Sequence, residues 1–315
     1  MGPRLRARRA HQPPDRDRLP VRAATAGPGA VGRGDQGVTS STEVAVAERA
    51  VPGPHGAVRV RVYTPPGDPA ALLVWLHGGG FAGGDLDIPE AHVVAGELAA
   101  RTPAVVVSVG YRLARDGVRY PVPVDDAAAA WRWAAAGGVP AAGPRAIGGA
   151  SAGAAIALTV ALRQRGTAAA PDRLLLAYPF AHFPVPALDA AMANVMRALP
   201  PELRFDHERI AHMVRTYVGR VSNLPAEALP GAANLTGLPP AAVVLSELDD
   251  LRPSGELLVE QLRESGVEAS VQLEKGMPHG HLNSGPPRPG AGASLDFFAA
   301  ALRPSGLDGV LGRAG

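Results

Sequence analysis

Two hydrophobic periods share the chain from about residue 44 onward. Val44 to Ala47 and Val58 to Tyr63 alternate at period two, with Pro52-Gly53-Pro54 and His55-Gly56 between them, which predicts an antiparallel strand pair. Leu72 to Leu76 is continuously apolar, as are Ala104–Val109, Leu174–Ala177 and Ala242–Leu245. Runs of that kind belong to strands buried on both faces. A further short apolar stretch enters Gly149, and Ala269–Leu273 is one more strand. Helical stretches separate them: Pro89 to Ala100, Asp125 to Ala136 with an acidic start, Ala152 to Arg163, Ser254 to Glu264 closed by Gly266, and Ala293 to Leu302. Short apolar strands alternating with helices predict an α/β fold, a mostly parallel sheet with helices on both faces.

The alternation breaks in two places. Between about Phe180 and Gly231 prolines cluster around one amphipathic helix, Asp206 to Tyr217, with Ile210, Met213, Val214 and Tyr217 on its apolar stripe. An insertion of this kind between sheet strands reads as a small cap over a site. Residues 1–42 are rich in Arg, Pro and Gly without apolar periodicity. They read as disordered, as upstream sequence from an early start codon, or as a rudimentary cap segment. The main domain then runs over residues 43–305, with 306–315 as a tail.

Composition narrows the function classes. Of 315 residues 46% are hydrophobic but only 4% aromatic, so the core is built from Ala, Val and Leu. The net charge is +2, Lys275 is the one lysine, and the arginine excess sits largely in the first 33 residues. Arginine in place of lysine, with heavy Ala, Gly and Pro use, is a coding bias of GC-rich genomes. No basic patch interleaved with aromatics points to nucleic acid. The absence of cysteine excludes a disulfide framework, a thiolate metal site and a cysteine nucleophile. No stretch approaches the ~20 apolar residues of a membrane span. No apolar segment follows the N-terminal arginines, so the expected location is cytoplasmic.

The chemistry gathers around Gly149-Ala150-Ser151-Ala152-Gly153. A strand runs in and a helix runs out, which makes a sharp turn with serine at its apex. Glycines two before and two after the serine are needed because side chains there would collide with the neighbouring strand and helix. The helix that follows aims its N-terminus at the reaction centre. After Leu76 comes His77-Gly78-Gly79-Gly80-Phe81, a glycine loop whose backbone N–H groups, with that of Ala152, can form an oxyanion hole. His77 and Gly78 read as support for that loop. Past the Ala242–Leu245 strand stand Glu247, Asp249 and Asp250, each placed to orient a histidine. Past Ala269–Leu273 stands His279, followed by Gly280, with His281 as the alternative base. The other histidines read as surface or cap residues. Serine, then acid, then histidine is the chain order of α/β-hydrolases.

At these motifs the sequence resembles the hormone-sensitive-lipase family of α/β-hydrolases, the bacterial esterase branch with the HGGG signature. The match runs from about Val44 to Leu302. It is carried by His77–Phe81, Tyr111-Arg112-Leu113-Ala114, Asp125-Asp126, Leu235-Thr236-Gly237-Leu238-Pro239-Pro240, the Asp249-x-Leu251-Arg252 motif, and Gly276-Met277-Pro278-His279-Gly280. The resemblance implies a triad of Ser151, Asp249 and His279, with Gly79, Gly80 and Ala152 as oxyanion donors. It implies a serine carboxylic-ester hydrolase working through an acyl-enzyme on short-to-medium acyl esters. The partner is then a small-molecule ester, no metal or other cofactor is required, and the last parallel strand offers an edge for a homodimer. The sequence departs from the family at Ala150 and Ala154 in the elbow, at Ala114-Arg115-Asp116, and at His281, where an aromatic is usual. Those departures keep a second reading in view, a deacetylase, lactone hydrolase or amide hydrolase using the same triad. A small-molecule receptor on this fold would have a broken triad, and here all three residue types stand at matching motifs.

Overall fold

The computed structural model describes residues 43–283 and 289–303, so the expectations for 1–42 and for the tail lie outside the described residues. Eight strands form one sheet: β1 (Ala45–Val51), β2 (Val58–Thr64), β3 (Ala71–Leu76), β4 (Ala104–Gly110), β5 (Arg145–Ala150), β6 (Arg173–Ala177), β7 (Ala241–Leu248) and β8 (Ala269–Pro278). Their order is β1-β2-β4-β3-β5-β6-β7-β8. The β1–β2 and β2–β4 pairs are antiparallel, and the remaining pairs are parallel.

This order places a switch point at β3. From β3 the chain crosses through helix α1 (Pro89–Arg101) to β4 on one side, and through α2 (Val122–Trp133) back to β5 on the other. Loops leaving β3 and β5 therefore diverge and open a crevice at their carboxyl ends, where ligands bind in open α/β sheets. The glycine loop leaves β3 there, and Ser151 leaves β5 there.

The continuous apolar strands are explained by two cores. On β3, Leu72, Val74 and Leu76 enter a cluster with Ile147, Trp131 and Leu258, whereas Leu73 and Trp75 enter another with Val94, Leu98 and Phe298. The first cluster takes helices α2, α3 (Ala152–Gln164) and α6 (Arg252–Glu264), and the second takes α1 and α7 (Pro289–Leu302). Each large aliphatic side chain so enclosed contributes roughly 1.5–3 kcal/mol. Trp75, wholly buried, donates its indole N–H to the Glu90 carbonyl at 2.8 Å, tying β3 to the start of α1.

Boundaries differ from the sequence expectation where end chemistry decides them. Helix α2 starts at Val122, ahead of the acidic pair, with a proline in its first turn, and its regular part ends at Trp133. Strand β8 runs on to Pro278, past the apolar run, and delivers the following histidine to the crevice. The region 180–231 holds two α-helices rather than one. Helix α5 (His207–Val218) matches the amphipathic stripe and buries Ile210, Val214 and Tyr217, with the Asp206 carboxylate accepting from Arg209 N–H at 2.8 Å as its N-cap. Helix α4 (Ala190–Arg197) was not foreseen; it is capped by Asp189 and buries only Met196. Among the described residues no helix is long and apolar enough to cross a membrane.

Candidate active site

Ser151 sits between β5 and α3 with φ 53° and ψ −117°, a backbone state that a non-glycine residue holds only when its surroundings enforce it. They do so here. A Cβ on Gly149 would lie 2.6 Å from the Leu76 carbonyl oxygen, and one on Gly153 would strike the carbonyls of Leu76 and His77. Ser151 N–H donates to the Ala177 carbonyl at 2.9 Å, fastening the elbow to the end of β6. Twelve of the thirteen residues of α3 are buried, and its N-terminus faces the serine.

The glycine loop folds back on itself. Gly79 has φ 110°, and its carbonyl accepts from Ala82 and Gly83 N–H at 3.2 and 2.8 Å. His77 is buried, donates from Nδ1 to the Gly78 carbonyl at 2.7 Å, and stacks on Tyr111 with centroids 4.5 Å apart. Tyr111 in turn donates its hydroxyl to the His77 carbonyl at 2.7 Å. Burial lowers the pKa of His77, so its imidazole stays neutral and shapes the loop rather than carrying a proton. Among the described residues the N–H groups of Gly79, Gly80 and Ala152 donate to no other protein group. All three leave the switch-point crevice, the first two from β3 and the third from the start of α3.

Asp249 lies just past β7 and His279 just past β8. His279 Nε2 is 2.8 Å from Ser151 Oγ, and its Nδ1 is 2.7 Å from Asp249 Oδ2. Asp249 is 0% exposed, and its other oxygen accepts from Leu251 N–H at 2.7 Å. The competing acids are occupied elsewhere: Glu247 accepts from Gly276 N–H, and Asp250 accepts from Phe205 N–H, each at 2.7 Å. The alternative base, His281, is buried away from the serine, with Nδ1 2.9 Å from Ser246 Oγ and Nε2 2.8 Å from Ser294 Oγ. Burial, reinforced by His279 nearby, pulls its pKa down to about 4.

Residues 73–283 match a family profile described as an alpha/beta hydrolase fold. The chain is 33% identical to Esterase LipI of Mycobacterium tuberculosis over 271 residues, covering 83% of this chain and 82% of the relative. It is 32% identical to Carboxylesterase NlhH of the same organism over 262 residues, 78% of each chain. The crystal structure of the Pyrobaculum calidifontis esterase superposes with a TM-score of 0.73 at 32% identity, covering 82% of this chain and 84% of that one. The chain belongs to the hormone-sensitive-lipase-like esterases of the α/β-hydrolase fold. It is a carboxylesterase-type hydrolase.

Three further side chains beside Ser151 and His279 escaped the sequence reading. Glu90, in the first turn of α1, is 3% exposed and lines the cavity that holds Ser151 and His279. Burial raises its pKa, opposed by hydrogen bonds from Tyr178 and Gly78 and by the charge of His279. Tyr178, following β6, packs edge-on against His279 at 5.0 Å, and Phe205 does so from the cap region at 4.7 Å. An acid in a helix's first turn is ordinarily solvated, so Glu90 carries no signal in the sequence. Tyr178-Pro179 after a strand end was the visible hint of a constrained turn. His182, expected at the surface or in the cap, is buried and hydrogen-bonded to Ser254 and Gln261. Elsewhere the acidic pair opening α2 divides: Asp126 is buried against Arg112 at 2.5 Å, and Asp125 pairs with Arg163 at 2.9 Å. Among the described residues no group of three His, Cys, Asp or Glu side chains could hold a metal ion.

Proposed function

We propose that the enzyme hydrolyses small carboxylic esters through an acyl-enzyme on Ser151. His279 takes the serine proton at Nε2 as Oγ attacks the ester carbonyl carbon. Asp249 holds the Nδ1–H tautomer and stabilises the imidazolium that forms. The carbonyl oxygen becomes an oxyanion within reach of Gly79, Gly80 and Ala152 N–H, and removal of one such donor typically costs about 3–4 kcal/mol of barrier. His279 then returns the proton to the departing alcohol oxygen. Water, deprotonated by the same nitrogen, cleaves the acyl bond and releases the acid. The observation that carries this reading is the continuous Ser151–His279–Asp249 hydrogen-bond chain, with donor–acceptor distances of 2.8 and 2.7 Å, beside three uncommitted N–H groups.

The segment from about Phe180 to Gly231 acts as a cap. Its Leu203, Phe205 and Met213 line a cavity of about 460 Å³ with Ser151 and His279, a size suited to short and medium acyl groups. Glu202, Arg209 and His212 also line that cavity. This polar side favours a polar alcohol, amine or ring portion, and so supports the second reading, a deacetylase, lactone hydrolase or amide hydrolase. Turnover of a p-nitrophenyl ester series tests the main reading. Ser151→Ala should lose at least about 10³-fold in kcat, and a variant turning over like the parent would refute it. A large preference for lactones over linear esters would select the second reading.

A further inference from the structure

Both oxygens of the Glu90 carboxylate are committed, and to different parts of the active site. Oε2 accepts from Gly78 N–H at 2.5 Å, and Oε1 accepts from the Tyr178 hydroxyl at 2.5 Å. Gly78 is the residue before the oxyanion donors Gly79 and Gly80. Tyr178 is the ring packed on His279, and it holds φ 35°, a left-handed state for a bulky residue. The backbone of Glu90 is fixed as well. Its carbonyl accepts from Trp75 of β3, and its N–H donates to Asn283 Oδ1 at 3.2 Å, just beyond the histidine loop. Burying a carboxylate is unfavourable unless its oxygens are hydrogen-bonded, and among the described residues no Lys or Arg pairs with this one.

We propose that Glu90 is a positioning residue for the hydrolysis, its carboxylate locking the oxyanion loop and the Tyr178–His279 contact into one arrangement around the serine elbow. The space it occupies leaves no slack. A Cβ on Gly78 would lie 2.5 Å from Glu90 Oε2, 3.1 Å from the Ala150 carbonyl oxygen and 3.2 Å from Ser151 Cβ. Loop, carboxylate and elbow therefore interlock, and removal of the carboxylate frees the loop to drift from the elbow. A displacement of 1 Å at a reaction centre can cost on the order of 10²-fold in rate. Such drift harms binding of the tetrahedral oxyanion and leaves ground-state binding of a planar ester nearly unchanged.

This role rests on the catalytic reading of Ser151 and His279, and the test separates the two. Parent, Glu90→Ala and Glu90→Gln are titrated with a fluorophosphonate so that kcat on p-nitrophenyl acetate is expressed per labelled site, and KM for that ester and Ki for phenylboronic acid are measured on the same preparations. Glu90→Ala should lose about 10- to 100-fold in kcat, keep KM within about twofold, and weaken the boronate by the same factor as kcat. Glu90→Gln can accept from Gly78 and donate to the tyrosine oxygen, so it should stay within about fivefold of the parent. An alanine variant with parental kcat, or one that loses kcat with boronate affinity unchanged, overturns the proposal. Should Glu90→Ala not fold, Tyr178→Phe removes one of the two bonds. A boronate Ki raised about three- to tenfold supports the proposal, and an unchanged Ki overturns it. Failure of the parent to be labelled at Ser151 would instead overturn the catalytic reading itself.

Discussion

Asp249→Asn is the substitution whose effect the site geometry constrains most tightly. The native carboxylate accepts from Leu251 N–H with one oxygen and faces His279 Nδ1 with the other, both at 2.7 Å and with no exposure to water. Asparagine has the same shape, but its two ends differ. The Leu251 N–H demands the amide oxygen, so the amide NH₂ must face Nδ1. Nδ1 then has to accept, the ring proton moves to Nε2, and Nε2 can no longer take the proton of Ser151. Turning the amide over would set two donors against each other at Leu251, which costs about 1–3 kcal/mol for the unsatisfied group. The charge-assisted bond to the imidazolium, worth about 1.5–3 kcal/mol, is lost in either orientation. Together these raise the barrier by about 3–6 kcal/mol, or roughly 10²- to 10⁴-fold in kcat/KM. Initial rates on p-nitrophenyl acetate measure the loss, and a melting curve confirms that the shape-conserving variant folds. Glu247→Gln, whose amide oxygen still serves Gly276 N–H, should stay within about threefold. A folded Asp249→Asn enzyme within about fivefold of its parent would show that Asp249 does not govern the histidine tautomer.

Two further expectations concern stability and assembly. His281 is held neutral, with a folded pKa of about 4 against an ordinary 6.5. The unfolded chain therefore binds a proton that the folded one does not as pH falls from 6.5 towards 4, and stability drops by up to about 3 kcal/mol across that window. Urea midpoints at pH 7 and pH 4.5 should lie closer together in His281→Gln than in the parent, and equal spacing would refute the assignment. Among the described residues strand β8 is the outermost strand at its end of the sheet, and it leaves Val271 37% and Leu273 40% exposed. An apolar unpaired edge favours pairing with a second copy. The parent should sediment at twice its 32.3 kDa chain mass, and Leu273→Lys should shift it towards monomer. A parent that sediments as monomer refutes the pairing.

The parts of this enzyme that were legible in the sequence are those enforced by the chain's own local chemistry. Continuous apolar runs announced the buried strands, because two cores take alternate residues of β3. The elbow glycines announced the serine, because the Leu76 carbonyl leaves no space for a Cβ at Gly149. The carboxylate that meets His279 was legible only as a choice among three, since Glu247, Asp249 and Asp250 all follow β7. What separates them is which backbone N–H each one meets after folding. Helix α4 carries Met192, Val195 and Met196 at helical spacing, but over only 8 residues, and that short stripe was passed over among the prolines around it. Glu90 and His182 were hidden for a different reason: their burial is created by elements distant in sequence, Tyr178 for the first and Ser254 with Gln261 for the second.

The almost complete burial of α3 has a consequence for how this enzyme responds to its medium. Charges on a surface are muted by mobile ions over a Debye length of about 8 Å at physiological ionic strength. Around α3 the neighbours are sheet and packed helices, and no ion atmosphere can gather along its flanks. The positive end of its dipole therefore reaches the oxyanion through protein rather than through electrolyte. Along the flanks of α3 the field of that dipole is set by packed protein, so salt reaches the reacting carbonyl through the cavity mouth, where Glu202, Arg209 and His212 are exposed.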